Sequence, residues 1–255
     1  VFLAIHTICT HGDHIVASAS LYGGTDTFFR HTLPKLGITV DFIDDLNPEK
    51  LKHAIKDNTK CVYIETIGNP KGDVLDIQAI SDSAHEHNIP VMIDNTFGPS
   101  LCYPIQHGAD IVIHSLTKWI GGHGTSIGGV VIDSGNFNWG NGKFPEFTEA
   151  DASYHGLKYW DVFGDFPGLG NVAFAIKARV QGLRNMGMAI SPQNSFQILQ
   201  GFETLPLRME KHVSNAKALA EWLQLHPKIK WVNYTGFPNH PSVDRCKTYL
   251  NGNFP

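Results

Sequence analysis

The chain has 255 residues, of which 17 % are charged and 42 % hydrophobic, with a net charge of −4. That length allows one large α/β domain, or one domain with part of another. A charged fraction below the roughly 25 % usual for soluble domains points to surface buried against other chains. The balance carries no basic block, which argues against a nucleic-acid partner. No apolar run approaches the ~18 residues of a membrane helix, so no membrane role is expected.

The first thirteen residues read as the middle of a helix with no cap before it, and the last seven, YLNGNFP, stop without completing an element. The sequence is therefore expected to be an internal piece of a longer protein. His14 to Ser18 is a short strand leading to Leu21-Tyr-Gly-Gly-Thr25. A helical segment follows from Asp26 to Leu36, with Gly37 as its stop. Ile38 to Ile43 is the next strand, Pro48 opens a helix ending near Ile55, and Cys61 to Glu65 is a strand again. Asp76 to Asn88 has Ile77, Ile80 and Ala84 at helical spacing, and Val91 to Ile93 closes on Asp94. Strand and helix in alternation predict a mostly parallel sheet covered by helices on both faces.

From Ser134 to Gly170 aromatics and glycines crowd together without periodicity, which suggests a lid or an interface segment. Asn171 to Met186 reads as a helix with Val172, Ala175, Leu183 and Met186 on one side. Ser191-Pro192 opens a long helical region reaching about His226, with Val213, Ala216, Leu219, Ala220 and Leu223 as its apolar stripe. The division expected is a large domain over 1–190, then a linking helix and the start of a smaller α+β domain over 191–255. Cys9, Cys61, Cys102 and Cys246 form no C-x-x-C pair, which fits buried thiols and a cytoplasmic location.

The chemistry concentrates between His114 and Gly129. The apolar run Ala109 to His114 ends at Ser115, Thr117 and Lys118, and glycine follows at once. A lysine just past a strand end, on a backbone that glycine lets bend, suits a nucleophilic amine. Hydroxyls at 115 and 117 suit a phosphate. Asp94 ends a neighbouring strand, where a carboxylate could cap a loop, bind metal or hold a protonated pyridine nitrogen. Tyr22 offers an aromatic face beside two glycines.

Segments 12–25 (GDHIVASASLYGGT), 63–70 (YIETIGNP), 91–97 (VMIDNTF), 107–129 (HGADIVIHSLTKWIGGHGTSIGG) and 201–212 (GFETLPLRMEKH) resemble the Cys/Met-metabolism family of pyridoxal-phosphate enzymes. The resemblance implies the type-I fold of such enzymes and pyridoxal 5'-phosphate as cofactor. It implies that Lys118 carries the Schiff base, Asp94 keeps the pyridine nitrogen protonated and Tyr22 stacks on the ring. Ser115 and Thr117 would hold the phosphate, Thr96 would orient Asp94, and Asn69 would lie near the ring hydroxyl or substrate carboxylate. Glu65 matches the motif without an assigned role.

Methionine γ-lyases carry a cysteine at the position of Gly24, and cystathionine β-lyases usually replace the glycine pair. The stretch 136–164 is similar to the sulfhydrylase branch. That branch implies O-acetylhomoserine and sulfide as substrates, homocysteine and acetate as products, and a homotetramer. A cystathionine γ-synthase, a γ-lyase or a non-catalytic fragment are the alternatives. The family pattern places an amide cradle and a Tyr-x-Arg arm before Val1, and a carboxylate-binding arginine after Pro255. The stretch alone is therefore expected to be inactive.

Other readings fare worse. Cys9, His11 and His14 lack a fourth ligand, so no metal is expected. No G-x-G-x-x-G follows the first strand, and no G-x-S-x-G elbow occurs. Asn233-Tyr-Thr is a formal glycosylation acceptor and reads as chance.

Overall fold

The computed structural model describes residues 1–254. In chain order, α1 (Phe2–Ile8) precedes β1 (His14–Ser18). A helical stretch that opens with α2 (Gly23–Thr27) continues in wider and tighter turns to Leu36. Gly37 then ends it in the left-handed conformation. β2 (Thr39–Ile43) leads to α3 (Pro48–Ala54), capped by the Asn47 side chain on the Lys50 N–H, and to β3 (Thr59–Glu65). α4 (Ile77–His85), capped by Asp76, leads to β4 (Val91–Asp94), β5 (Ile111–Ser115) and β6 (Gly129–Asp133).

The strands form one sheet in the order β2-β1-β3-β4-β5-β6. Every pairing is parallel except β5 with β6, which is antiparallel. The expected mostly parallel α/β architecture is thus present. β6 is an addition, because the glycine loop hides a strand that only its partner β5 defines.

Alternation along the strands divides the core. Val16, Val62, Ile64, Val91, Ile93 and Val112 pack on one face with Leu51, Ile77 and Ile80. Ile15, Ala17, Cys61, Tyr63, Met92, Ile111 and Ile113 pack on the other with Ile5, Ile8, Phe29 and Leu33. Period-two geometry requires this split, and burial on both faces explains why β1 and β3 read as unbroken apolar runs.

The aromatic stretch 134–170, expected as a lid or an interface segment, is ordered and packed on the core. It folds onto the second face around short helices α5 (Pro145–Thr148) and α6 (Tyr159–Phe163). Trp139 is fully buried, with Phe147 stacked at 4.7 Å and Phe174 at 5.3 Å. Lys60 on β3 ties the stretch down, its amine donating to Lys143 O at 2.7 Å and to Glu146 at 3.0 Å.

α7 (Ala173–Lys177) continues as a wider helix to Asn185. Its buried side is Ala173, Phe174, Lys177, Ala178, Val180 and Gly182, not the expected stripe, and Ala175 and Met186 are exposed. The long helical region divides at Thr204 into α8 (Pro192–Glu203) and α9 (Leu205–Gln224), because Pro206 in the first turn of α9 cannot continue the α8 ladder. Met209 and Ala220 are the buried α9 positions beyond its first residue, whereas Leu219 is exposed. Near the end, α10 (Val243–Tyr249) brings Cys246, Tyr249 and Leu250 into the first core, where Ile198 and Met209 also pack. All four cysteines are buried and unpaired. No helix among the described residues is long and apolar enough to cross a membrane.

Candidate active site

Parallel strands end together, so the residues at the carboxyl ends of β1, β3, β4 and β5 share one rim of the sheet. A cavity of about 560 Å³ opens there, within the range of small-ligand sites. Tyr22, Asn69, Asp94, Thr96, Ser115 and Lys118 all line it. Thr117 does not. Its hydroxyl instead donates to Gly128 O at 3.2 Å and accepts from the Gly128 N–H at 3.1 Å, fastening the start of the lysine turn to the glycine loop. A larger cavity of about 860 Å³ lies against β6 and shares Asp94 and Ser115, but no lysine lines it. The smaller cavity is the one that gathers an amine, a carboxylate and an exposed ring.

The carboxylate of Asp94 is set before any ligand arrives. Its Oδ1 accepts the Thr96 N–H at 2.9 Å, and its Oδ2 faces the Tyr63 hydroxyl at 3.4 Å. Burial drives the Tyr63 hydroxyl well above its ordinary range, helped by the Asp94 charge, so it remains a donor. The Thr96 hydroxyl accepts the Ser115 N–H at 2.7 Å and joins the ends of β4 and β5.

Glu65 stands opposite Asp94 in the register of β3 and β4, on the same face of the sheet. Its two oxygens accept the Tyr22 N–H at 2.6 Å and the Asn69 N–H at 3.1 Å. It therefore holds the two loops that carry two cavity residues. Burial raises its carboxyl to about 7, the two N–H donors pull it back, and Asp94 adds to the rise.

The lysine follows from local backbone geometry. β5 ends at Ser115, a helical turn begins at Leu116, and the backbone leaves helical angles at Lys118 (φ −93°, ψ −122°). The side chain is exposed to the cavity, and its amine makes no hydrogen bond or ion pair among the described residues. Tyr22 is half-exposed, with its ring free to meet a flat ligand.

Among the wall residues not singled out from the sequence are Phe97, Trp119, Arg208 and His212. Trp119 lies 6.1 Å from the Phe97 ring and 4.6 Å from His212. The signal for the last two was present, since Arg208 and His212 sit four apart on one helix and must share a face.

Comparison with solved structures defines the class. A Campylobacter jejuni chain solved with N'-pyridoxyl-lysine-5'-monophosphate matches with a TM-score of 0.92 and 36 % identity, over 99 % of this chain and 62 % of that one. The O-acetylhomoserine sulfhydrylase of Wolinella succinogenes matches at 0.84 and 35 %, over 97 % and 67 %. The fold is that of the type-I pyridoxal-phosphate-dependent enzymes.

Residues 1–254 match the model of the Cys/Met metabolism PLP-dependent enzymes, and the chain belongs to that family. It is 58 % identical over 250 residues to the O-acetyl-L-homoserine sulfhydrylase of Leptospira meyeri, covering 97 % of this chain and 57 % of that protein. It is 48 % identical to the homocysteine synthase of Schizosaccharomyces pombe, covering 100 % and 59 %. The chain thus spans somewhat under two thirds of the length of these relatives. The donor set fits the family's cofactor, with a preset carboxylate for a ring nitrogen, an unengaged amine for an aldehyde and an exposed ring for stacking.

Proposed function

We propose that this chain forms the cofactor-binding part of an O-acetylhomoserine sulfhydrylase, which exchanges the acetyl ester of O-acetylhomoserine for sulfide to give homocysteine and acetate. The observation that carries the reading is the convergence of Lys118, Asp94 and Tyr22 on one cavity at the strand ends. The identity to an O-acetyl-L-homoserine sulfhydrylase and to a homocysteine synthase supports the same choice within the family. Pyridoxal phosphate, when bound, supplies an aldehyde for an amine and a ring that accepts electrons from the carbon beside it.

The chain's own residues do the rest. Lys118 would be the amine that holds the cofactor and the base that takes the α proton of the substrate. Asp94 holds a proton on the ring nitrogen by its negative charge, and the Thr96 N–H fixes the direction of that carboxylate. Tyr22 covers one face of the ring, and Asn69 approaches the ring hydroxyl or the substrate carboxylate. Ser115 would donate to the phosphate, and Thr117, which stands behind the cavity wall, would do so only by exchanging its partner Gly128.

Residues 1–190 are assigned to the cofactor-binding domain, and 191–255 to a linking helix and the start of a smaller domain. We place the protein in the cytoplasm as a homotetramer. The test is an assay of the full-length protein with sulfide and O-acetylhomoserine, beside cystathionine and methionine. Homocysteine formed from O-acetylhomoserine and sulfide, with neither other compound cleaved at a comparable rate, is expected. Preferential cleavage of cystathionine or methionine would overturn the assignment.

A further inference from the structure

Arg208 lines the cavity, yet its guanidinium is turned onto the backbone. Nη1 donates to Trp119 O at 2.7 Å, and Nη2 donates to Ile120 O at 3.2 Å and to Gly201 O at 2.7 Å. Nε donates to the Thr204 hydroxyl at 3.0 Å. Two of these acceptors belong to the turn that carries Lys118. That turn closes through the Gly121 N–H to Leu116 O and the Gly122 N–H to Lys118 O. At Gly122 the backbone swings to φ +71°, and among the described residues neither Trp119 O nor Ile120 O receives a backbone N–H. Such carbonyls at a helix end need outside donors, and a planar, always charged fork supplies several at once.

The surroundings are cut to admit this fork. A methyl group on Gly122 would stand 2.6 Å from the guanidinium carbon, and one on Gly121 would stand 2.7 Å from Leu116 O. One on Gly201 would overlap the Gly121 carbonyl oxygen. Glycine at all three positions lets α8 and α9 close directly on the backbone of the lysine turn.

We infer that Arg208 is the positioning residue of Lys118, clamping the turn behind it to the α8–α9 junction through three backbone carbonyls. The lysine side chain is long, mobile and unengaged, so its reach is set by where its Cα is held. The clamp fixes the residues just after that Cα from nearly ninety positions away in sequence. It also engages four of the five guanidinium N–H donors. The importance of the clamp for catalysis rests on the proposed role of Lys118, whereas the clamp itself does not.

The experiment compares wild type, Arg208→Lys and Arg208→Gln by hydrogen exchange and by the pH titration of the visible absorption band after addition of pyridoxal phosphate. Exchange in peptides covering 116–124 should rise by at least about tenfold in Arg208→Gln, with β3 and β4 unchanged, because the charge-assisted bonds are lost at the turn and at the α8–α9 junction and not in the strands. The midpoint of the spectral titration should shift in the same variant. Both effects should be partly rescued in Arg208→Lys, which keeps a charged donor group for the carbonyls without the planar fork.

Wild-type exchange over 116–124 in Arg208→Gln, or an unshifted midpoint, would overturn the inference. If β4 also loosens in Arg208→Gln, the lysine variant decides: faster exchange at 116–124 with β4 unchanged supports the clamp, and unchanged exchange at 116–124 overturns it. Absence of any pyridoxal phosphate band in the wild type would remove the reading of the cavity while leaving the exchange result to judge the clamp.

Discussion

Replacing Glu65 with glutamine tests the electrostatics of the cavity wall. In the fold its carboxyl is raised from 4.5 to about 7, chiefly by burial. At about 1.4 kcal/mol per pH unit, ionising it there costs the folded state about 3 kcal/mol relative to the open chain. Because the folded value lies above the unfolded one, the associated stability is fully present below pH 4.5 and is lost as the pH rises through 7. Glutamine carries no such penalty. It keeps only one acceptor for two donors, however, so either the Tyr22 or the Asn69 N–H is left unpaired, at about 1 to 3 kcal/mol at every pH. Glu65→Gln should therefore be the less stable protein at pH 5 and should gain on the wild type by about 2 to 3 kcal/mol by pH 8. Urea unfolding of both proteins at the two pH values measures that change. A difference between them that stays constant with pH would refute the argument, since Glu65 would then titrate alike in the folded and unfolded chains.

Asp94→Asn preserves the shape of the side chain and removes its charge. Pyridoxal phosphate should still bind while turnover of the full-length protein falls by about two orders of magnitude or more, whereas near wild-type turnover would make Asp94 structural. Trp139→Ala empties a site walled by Phe144, Phe147 and Phe174 and should cost about 3 to 5 kcal/mol in chemical denaturation. A cost under about 1 kcal/mol would mean that the aromatic segment is not part of the core. Thr117→Val removes both hydrogen bonds with Gly128 and the hydroxyl offered to phosphate, so the dissociation constant for pyridoxal phosphate should rise about tenfold. An unchanged constant would leave the phosphate to Ser115 and other donors.

The rim of the sheet was legible because its signals are local. Asp94 and Lys118 each terminate an apolar run, and a strand end is visible in sequence as the place where such a run stops. The clamp was not legible. Arg208 acts on carbonyls far away in sequence, and a backbone acceptor leaves no mark on residue type except the glycines that make room for it. The role of Glu65 was hidden for the same reason, since its partners are main-chain N–H groups of two loops.

The segment 134–170 defeated periodicity because its aromatic side chains fill a space bounded by β3 and α7 without forming a long regular element of their own. The stripe expected on 171–186 failed for a related reason. Lys177 is buried there beside Phe174 and Ala178, its amine facing the rings of Phe147 and Tyr159 at 5.7 and 5.3 Å, so the inward face includes a charged residue that an apolar stripe passes over.

Every role proposed for the cavity depends on which lysine bonds the cofactor. The direct measurement is to incubate the protein with pyridoxal phosphate, reduce with borohydride and map the modified peptide by mass spectrometry. The account predicts a pyridoxyl group on Lys118, in the peptide that contains His114 to Gly121, and none in the Lys118→Ala variant. A pyridoxyl group confined to any other lysine would contradict it.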